Sequence, residues 1–239
     1  MARRIDLRAA ARLALVALAL TALGAAALLA MPATASVEKM AAARREAFAR
    51  GGRGPDWGPL MEMNGEMAGW LRVEGTGIDL PVVQPSEGDE PDRYLHRDVT
   101  GAWSPYGTPY LDRRCDPQAG NLMVFGHNAG IPGVMFSELA GTGLDSLGNA
   151  SWSTPEGGEI AFRPIMALRV DYRYGPIQEF PPMSEAELIG WLGELEVDAS
   201  AVVDGWREAA RGSTRALSLV TCSTPWAGCE ERVIVIFVA

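Results

Sequence analysis

From Trp57 onward the apolar residues fall in short runs broken by Gly, Pro, Asp and Asn, and this punctuation restricts the fold more than any other feature of the chain. The runs include Gly69-Trp70-Leu71-Arg72-Val73, Ile78-Asp79-Leu80-Pro81-Val82-Val83, Thr108-Pro109-Tyr110-Leu111, Asn121-Leu122-Met123-Val124-Phe125 and Ile160-Ala161-Phe162. Closely spaced short strands separated by turn signals describe a β-barrel or a β-sandwich. Helical spacing interrupts the series at Leu188, Ile189, Trp191, Leu192 and Leu195, after Ser184-Glu185-Ala186-Glu187, which fits a capping box. A second helix is expected over roughly 199–210, and two strongly apolar strands, 216–221 and 233–238, follow it. A chain of 239 residues that is 48% hydrophobic has material for one well-cored domain or two small ones.

The net charge of −9 conceals a division. Residues 1–53 hold nine Lys and Arg against three Asp and Glu, a balance of +6, and the remainder holds 12 against 27, a balance of −15. An acidic domain argues against nucleic acid as a partner. At the amino end, Arg3, Arg4, Arg8 and Arg12 precede an uncharged run, 13–31, made almost entirely of Leu and Ala. As a helix rising about 1.5 Å per residue, this run spans most of a roughly 30 Å hydrocarbon core.

The expected organisation is a cytoplasmic basic tip (1–12), a single-pass transmembrane signal-anchor (13–31), a juxtamembrane helix or linker (32–56) and an extracytoplasmic domain (57–239) in the extracellular space. A cleaved signal peptide ending near Ala33-Thr34-Ala35 is the alternative for the amino end. The basic helical stretch 36–50, which stops at Gly51-Gly52, faces either anionic headgroups or solvent.

Three cysteines, Cys115, Cys222 and Cys229, are too few for a disulfide framework, and an odd count leaves at least one thiol unpaired within the chain. Cys222 directly follows an apolar strand, and Arg232 directly precedes the last one, so an antiparallel pair brings both to one end of a sheet. Of the two histidines, His127 sits just past another strand end in Phe125-Gly126-His127-Asn128. A thiol with a pKa of about 8.5 is only about 3% thiolate at pH 7, and a nearby imidazole or guanidinium raises that fraction. The imidazole can protonate a leaving amine, and the guanidinium fork can hold a carbonyl or the oxyanion that develops on it. Taken residue by residue, His127 also reads as a hydrogen-bonded turn residue and Arg232 as a surface ion-pair residue.

Further segments add to the pattern: Gly75-Thr76-Gly77-Ile78-Asp79-Leu80-Pro81-Val82-Val83-Gln84, Tyr94-Leu95-His96-Arg97-Asp98, Gly107-Thr108-Pro109-Tyr110-Leu111-Asp112, Met135-Phe136-Ser137-Glu138-Leu139, and Thr221-Cys222 with Arg232 ten residues on. In order and coverage, from about Trp57 onward, these resemble the sortases, membrane-anchored cysteine transpeptidases of mainly Gram-positive bacteria, and most closely class B. The resemblance implies a mainly β fold: an eight-stranded β-barrel with N-terminal helices and a helical insertion before the catalytic Cys strand. It also implies catalytic residues His127, Cys222 and Arg232. Cys222 attacks the carbonyl after Thr in a C-terminal sorting signal of an exported protein, His127 acts as acid and base, and Arg232 positions the peptide and its oxyanion. An amine, such as that of a peptidoglycan precursor in the cell wall, resolves the thioacyl intermediate. Some relatives join pilin subunits instead. No cofactor and no metal is implied.

Two positions depart from the family pattern: Val220 stands where class B often has Ser, and Thr224 where relatives are sometimes acidic. Asp112 is read as a turn residue, and His96 and Cys115 as structural. Cys229 is either an unpaired loop thiol or the partner of Cys222 in a reversible disulfide. Zinc held by Cys222, Cys229 and His127 lacks a fourth ligand and the usual ligand spacing. A non-enzymatic exported β-domain that binds a wall polymer or a partner protein is the remaining alternative. The acidic excess favours amine-bearing over anionic acceptors.

Overall fold

A computed structural model describes residues 7–52, 54–118 and 120–239. A long helix, α1 (Leu7–Phe48), and a short one, α2 (Trp57–Met63), precede the strands β1 (Met67–Val73), β2 (Asp79–Val83), β3 (Tyr110–Leu111), β4 (Asn121–Phe125), β5 (Ala150–Ser153) and β6 (Glu159–Asp171). Next come α3 (Glu185–Leu195), β7 (Ala199–Val202), the single turn α4 (Trp206–Ala209), β8 (Ala216–Cys222) and β9 (Glu231–Val238). The sheet order is β5-β1-β2-β3-β4-β8-β9-β6-β7, and β5 also pairs with β6. Eight strands therefore close into a mixed barrel, and β7 lies outside the ring as a flap on β6.

Closure depends on β6, which is 13 residues long. Its first part pairs with β5 through Glu159–Phe162, and its remainder pairs with β9 through Arg163–Asp171. The change of partner coincides with a register shift between Pro164 and Met166. A bulge is where a strand tolerates a residue without a backbone N–H, and it supplies the bend a small barrel needs.

Both faces of the barrel wall contribute apolar core residues. Leu71, Val82, Leu122, Val124, Phe162, Met166, Leu219, Ile236 and Phe237 are fully buried. Trp152 is packed so tightly over Gly69 that a Cβ built there would lie 2.3 Å from the indole ring, and the indole N–H donates to the Pro117 carbonyl at 3.1 Å. Gly69 is thus required by close approach rather than by its backbone angles. The expected capping box is present: Glu187 N–H donates to Ser184 Oγ, and the Ser184 N–H donates back to the Glu187 carboxylate. The helix expected over 199–210 is instead β7 followed by α4. Ala201 and Ala199 join β6 at Ala167 and Leu168, and Gly205, in a left-handed conformation at φ 70°, breaks the stretch before Trp206. Pairing with β6 outweighs local helix propensity at those alanines.

The expected transmembrane anchor, and the cell-membrane localisation built on it, are corrected. Among the described residues no helix is long and apolar enough to cross a membrane. Pro32 does not end α1, which runs on into the charged stretch around Glu38, Lys39, Arg44 and Arg45. Residues 1–6 of the basic tip lie outside the described residues.

The carboxyl-terminal part of α1 packs on the barrel. Met40, Ala43 and Ala47 are buried, and Phe48 meets Trp70 edge to face with ring centroids 5.3 Å apart. Its basic residues are used for docking. Lys39 pairs with the buried Asp98 at 2.5 Å, and Arg44 pairs with Asp79 at 2.6 Å while Asp79 also accepts the Trp70 indole N–H at 2.7 Å. Burial pushes the Asp98 carboxyl upward, but hydrogen bonds from Lys39 and Thr100 outweigh it and hold the group below its usual range.

Gly69→Ala is expected to force Trp152 out of its slot and to destabilise the protein by about 1–3 kcal/mol; Trp152→Ala is expected to cost about 3–5 kcal/mol. In urea unfolding the double variant should cost clearly less than the sum, because removing the indole removes the obstacle. Strict additivity would show that Gly69 and Trp152 do not constrain each other.

Candidate active site

Strand β8 lies between β4, to which it is parallel, and β9, to which it is antiparallel. The last parallel pair is Phe125 with Val220, and the Gly126 N–H extends that ladder to the Val220 carbonyl at 3.0 Å. Both chains leave the barrel at this end, one through His127 and Asn128, the other through Cys222. On the other side of β8, Cys222 is paired with Arg232 at the end of the β8–β9 ladder. The three residues singled out from the sequence therefore lie at the same end of the barrel. At the turn out of β4, a Cβ on Gly126 would lie 2.6 Å from the Phe136 ring, so only glycine allows the chain past that ring.

Asn128 ties the two exits together. Its side-chain amide donates to the Cys222 carbonyl at 3.0 Å, and its amide oxygen accepts from the Gly130 N–H at 3.0 Å. His127 is oriented by its own partner: Nε2 lies 2.9 Å from the Leu95 carbonyl. A carbonyl only accepts, so Nε2 carries the proton and Nδ1 keeps a lone pair. Burial lowers the His127 pKa, and His96, whose ring centroid is 5.7 Å away, adds to the effect, against the upward pull of Leu95. The imidazole is thus held neutral, as a base requires. Among the described residues, Cys222 makes no side-chain hydrogen bond to His127.

Burial raises the pKa of the half-buried Cys222 thiol, the Arg232 charge opposes that shift, and the neighbouring Cys229 reinforces it. Arg232 is engaged locally: Nη1 donates to the Cys229 carbonyl at 2.7 Å, and its guanidinium carbon lies 5.8 Å from the centre of the Tyr172 ring. Tyr110, stacked on Phe125 with centroids 5.3 Å apart, fills the space beside the pair. Burial pushes its phenol up, and Asp92, Asp112, Arg232 and Cys222 all act on it electrostatically.

Cys229 is not an idle loop thiol. Its Sγ donates to the Glu231 carbonyl at 3.2 Å and lies 3.3 Å from Ser223 Oγ. Hydrogen bonds from Ser223 and Thr224 lower its pKa to about 6. Asp112 performs the expected turn role, accepting the Arg114 N–H two residues on at 2.9 Å. Cys115 is buried in the core, where desolvation pushes its thiol up to about 12. Among the described residues no group of three or more His, Cys, Asp and Glu is placed to hold a metal ion.

Comparison with known proteins relates this geometry to one family. No protein-family model matches the chain. Sortase B of Listeria monocytogenes is 32% identical over 82 residues, 34% of this chain and 32% of that protein, so the chain spans about a third of the length of the curated relative it matches. Among solved structures, Clostridium perfringens sortase B superposes with a TM-score of 0.64 at 23% identity, covering 77% of this chain and 98% of that one. The Staphylococcus aureus sortase B–substrate complex superposes with a TM-score of 0.61 at 18% identity, covering 75% and 82% respectively. The resemblance to class B sortases expected from the sequence is borne out, and the fold is the sortase B barrel.

Alkylation by iodoacetamide, followed residue by residue in peptide maps, is expected to separate the two site thiols. Cys229 should react with a midpoint near pH 6, whereas the rate at Cys222 should still be rising above the pH at which an ordinary thiol levels off. Arg232→Met removes a charge that favours the thiolate and should slow Cys222 at neutral pH, while Cys229→Ser should speed it. A shared midpoint, or no response to either substitution, would contradict this account of the electrostatics.

Proposed function

We propose that the chain is a sortase-type cysteine transpeptidase that acts on proteins bearing a sorting signal, with Cys222 as nucleophile, His127 as acid and base, and Arg232 as the group that orients the substrate. The observation that supports this reading is the placement of these three residues at strand ends on one mouth of a sortase B barrel, with Cys222 and Arg232 as cross-strand partners and Asn128, which follows His127, donating to the Cys222 carbonyl. The S. aureus structure is a complex of a sortase B with its substrate, and its likeness to this chain supports a substrate of the sortase type.

The chemistry follows from the protonation states. Cys222 is held as a thiol by its surroundings, so its proton must leave as the sulfur attacks, and the Nδ1 lone pair of His127 is the basic site we assign to take it. The sulfur adds to the carbonyl carbon after Thr, and negative charge moves onto the carbonyl oxygen. Arg232 supplies fixed donors for that oxygen once the peptide displaces its contact with the Cys229 carbonyl. The imidazolium protonates the departing amine, the C–N bond breaks, and a thioester remains on Cys222. An incoming amine then attacks the thioester, gives its proton to His127, and releases the thiol as the C–S bond breaks. The acceptor we assign is an amine of a cell-wall peptidoglycan precursor, and the domain that performs the reaction spans residues 57–239.

A library of fluorogenic pentapeptides with Thr before the scissile bond, assayed with and without an amine-bearing peptide, tests the reading. Cleavage should fall by at least about a thousandfold in Cys222→Ala, by about 10²–10⁴ in His127→Ala and by about 10²–10³ in Arg232→Ala. Intact mass spectrometry should show a thioacyl adduct on the parent protein that the amine discharges. Absence of an adduct, together with unchanged behaviour of Cys222→Ala, would favour a binding domain over an enzyme.

A further inference from the structure

Cys229 has no part in the transpeptidation, yet the loop joining β8 to β9 folds so as to return its thiol to the nucleophile. The N–H of Ser223, the residue after Cys222, donates to the Glu231 carbonyl at 3.1 Å, and the Cys229 thiol donates to that same carbonyl at 3.2 Å. Its sulfur lies 3.3 Å from the Ser223 hydroxyl, and its carbonyl is clamped at 2.7 Å by Arg232, the cross-strand partner of Cys222. The two thiols are thus neighbours at the end of one ladder, and a hydrogen bond between them acts on Cys222, the side-chain contact from which a disulfide can form. The connecting loop can adjust: Gly228 turns it at φ 78°, and Trp226 at its tip is 77% exposed.

We propose that Cys229 is the redox partner of Cys222, so that a hydroperoxide converts the pair into a Cys222–Cys229 disulfide that silences the nucleophile and a thiol reductant restores it. The proposal rests on the reading of Cys222 as nucleophile. Cys229 is the more acidic of the two thiols, its pKa lowered to about 6 chiefly by hydrogen bonds from Ser223 and Thr224, and once it gives up the proton it shares with the Glu231 carbonyl it reacts first. Its sulfur attacks one peroxide oxygen; an S–O bond forms, the O–O bond breaks, and the other oxygen leaves as water or an alcohol after taking a proton. The Cys222 sulfur then attacks the Cys229 sulfenic acid. The S–S bond forms, hydroxide departs, and the Cys222 proton converts it to water. Two electrons pass from the sulfurs to the peroxide. Reversal is ordinary thiol–disulfide exchange. Cys115, buried and with its thiol pushed up to about 12, stays out of the reaction. Such a bond keeps Cys222 from further oxidation to the sulfinic acid, from which thiols do not recover it.

Trypsin releases both residues in one peptide, 216–232, because no Lys or Arg lies between Ala216 and Arg232. After the reduced full chain is treated with hydrogen peroxide, this peptide should be lighter by two hydrogens and refuse iodoacetamide. Sorting-peptide cleavage should be lost completely, and dithiothreitol should reverse all three changes. In Cys229→Ser, peroxide should instead add oxygens to Cys222, and dithiothreitol should not restore the lost activity. Oxygen addition without loss of hydrogens in the parent protein, or full recovery of Cys229→Ser, would overturn the pairing. A lighter peptide in a protein whose reduced form cleaves no sorting peptide sinks the transpeptidase reading instead, so the two failures are distinct.

Discussion

Strand β8 is held in register on both edges, by parallel bonds to β4 and antiparallel bonds to β9, and the mouth of the barrel depends on those two ladders. Side chains alternate across a strand, so a slip of one residue in either ladder would turn Cys222 toward the core and present Thr221 in its place. The pairs Leu217 with Leu122 and Phe237, and Leu219 with Val124 and Val235, bury apolar side chains that a slip would expose. Hydrophobic pattern and reactive geometry are therefore fixed by the same contacts. Asn128 then adds a polar tie at a point where backbone pairing between the two chains has ended.

The amino-terminal helix shows how charge gains meaning from what it faces. Lys39 and Arg44 find Asp98 and Asp79 on the barrel, and Asp79 in turn fixes the Trp70 indole against which Phe48 packs. An exposed pair of this kind contributes roughly 0–1 kcal/mol. The Lys39–Asp98 pair has one partner buried among donors from Thr100 and Ala102, so losing Lys39 would leave a carboxylate in the interior without its counter-charge. The +6 and −15 portions of the sequence are thus partly complementary surfaces of one folded body.

Much of the barrel was legible in the sequence because its strands are bounded by local signals. The runs at 69–73, 121–125 and 216–221 all lie within strands, and the capping box at Ser184 forms as spelled. The long β6 is visible in the sequence only as Ile160-Ala161-Phe162, because Pro164 interrupts the run and the part beyond it lacks strict alternation and takes its order from β9. The stretch 199–210 misled for the same reason: alanines without a periodic signal follow whichever neighbour is in reach. At the mouth, the positions of Cys222, His127 and Arg232 followed from strand ends and from family resemblance. The parts played by Leu95, Asn128 and Tyr110 depend on contacts between residues far apart in the chain, and no spacing rule encodes them. The run 13–31 reads as an anchor by composition, whereas among the described residues no helix is long and apolar enough to cross a membrane.

The divided pairing of β6 also bears on the order in which the molecule can assemble. Its first part finds β5 across a short turn, so that hairpin can form as soon as both strands exist. Its second part and the whole free edge of β8 wait for β9, which lies some 60 residues beyond β6 in the chain. During synthesis from the amino end, two apolar strand edges therefore stay unpaired until Glu231–Val238 have been made. Closure through such distant partners is entropically slow. The nucleophile and its guanidinium thus come together in the same late step that seals the barrel, and the reactive mouth does not exist on any partly built chain.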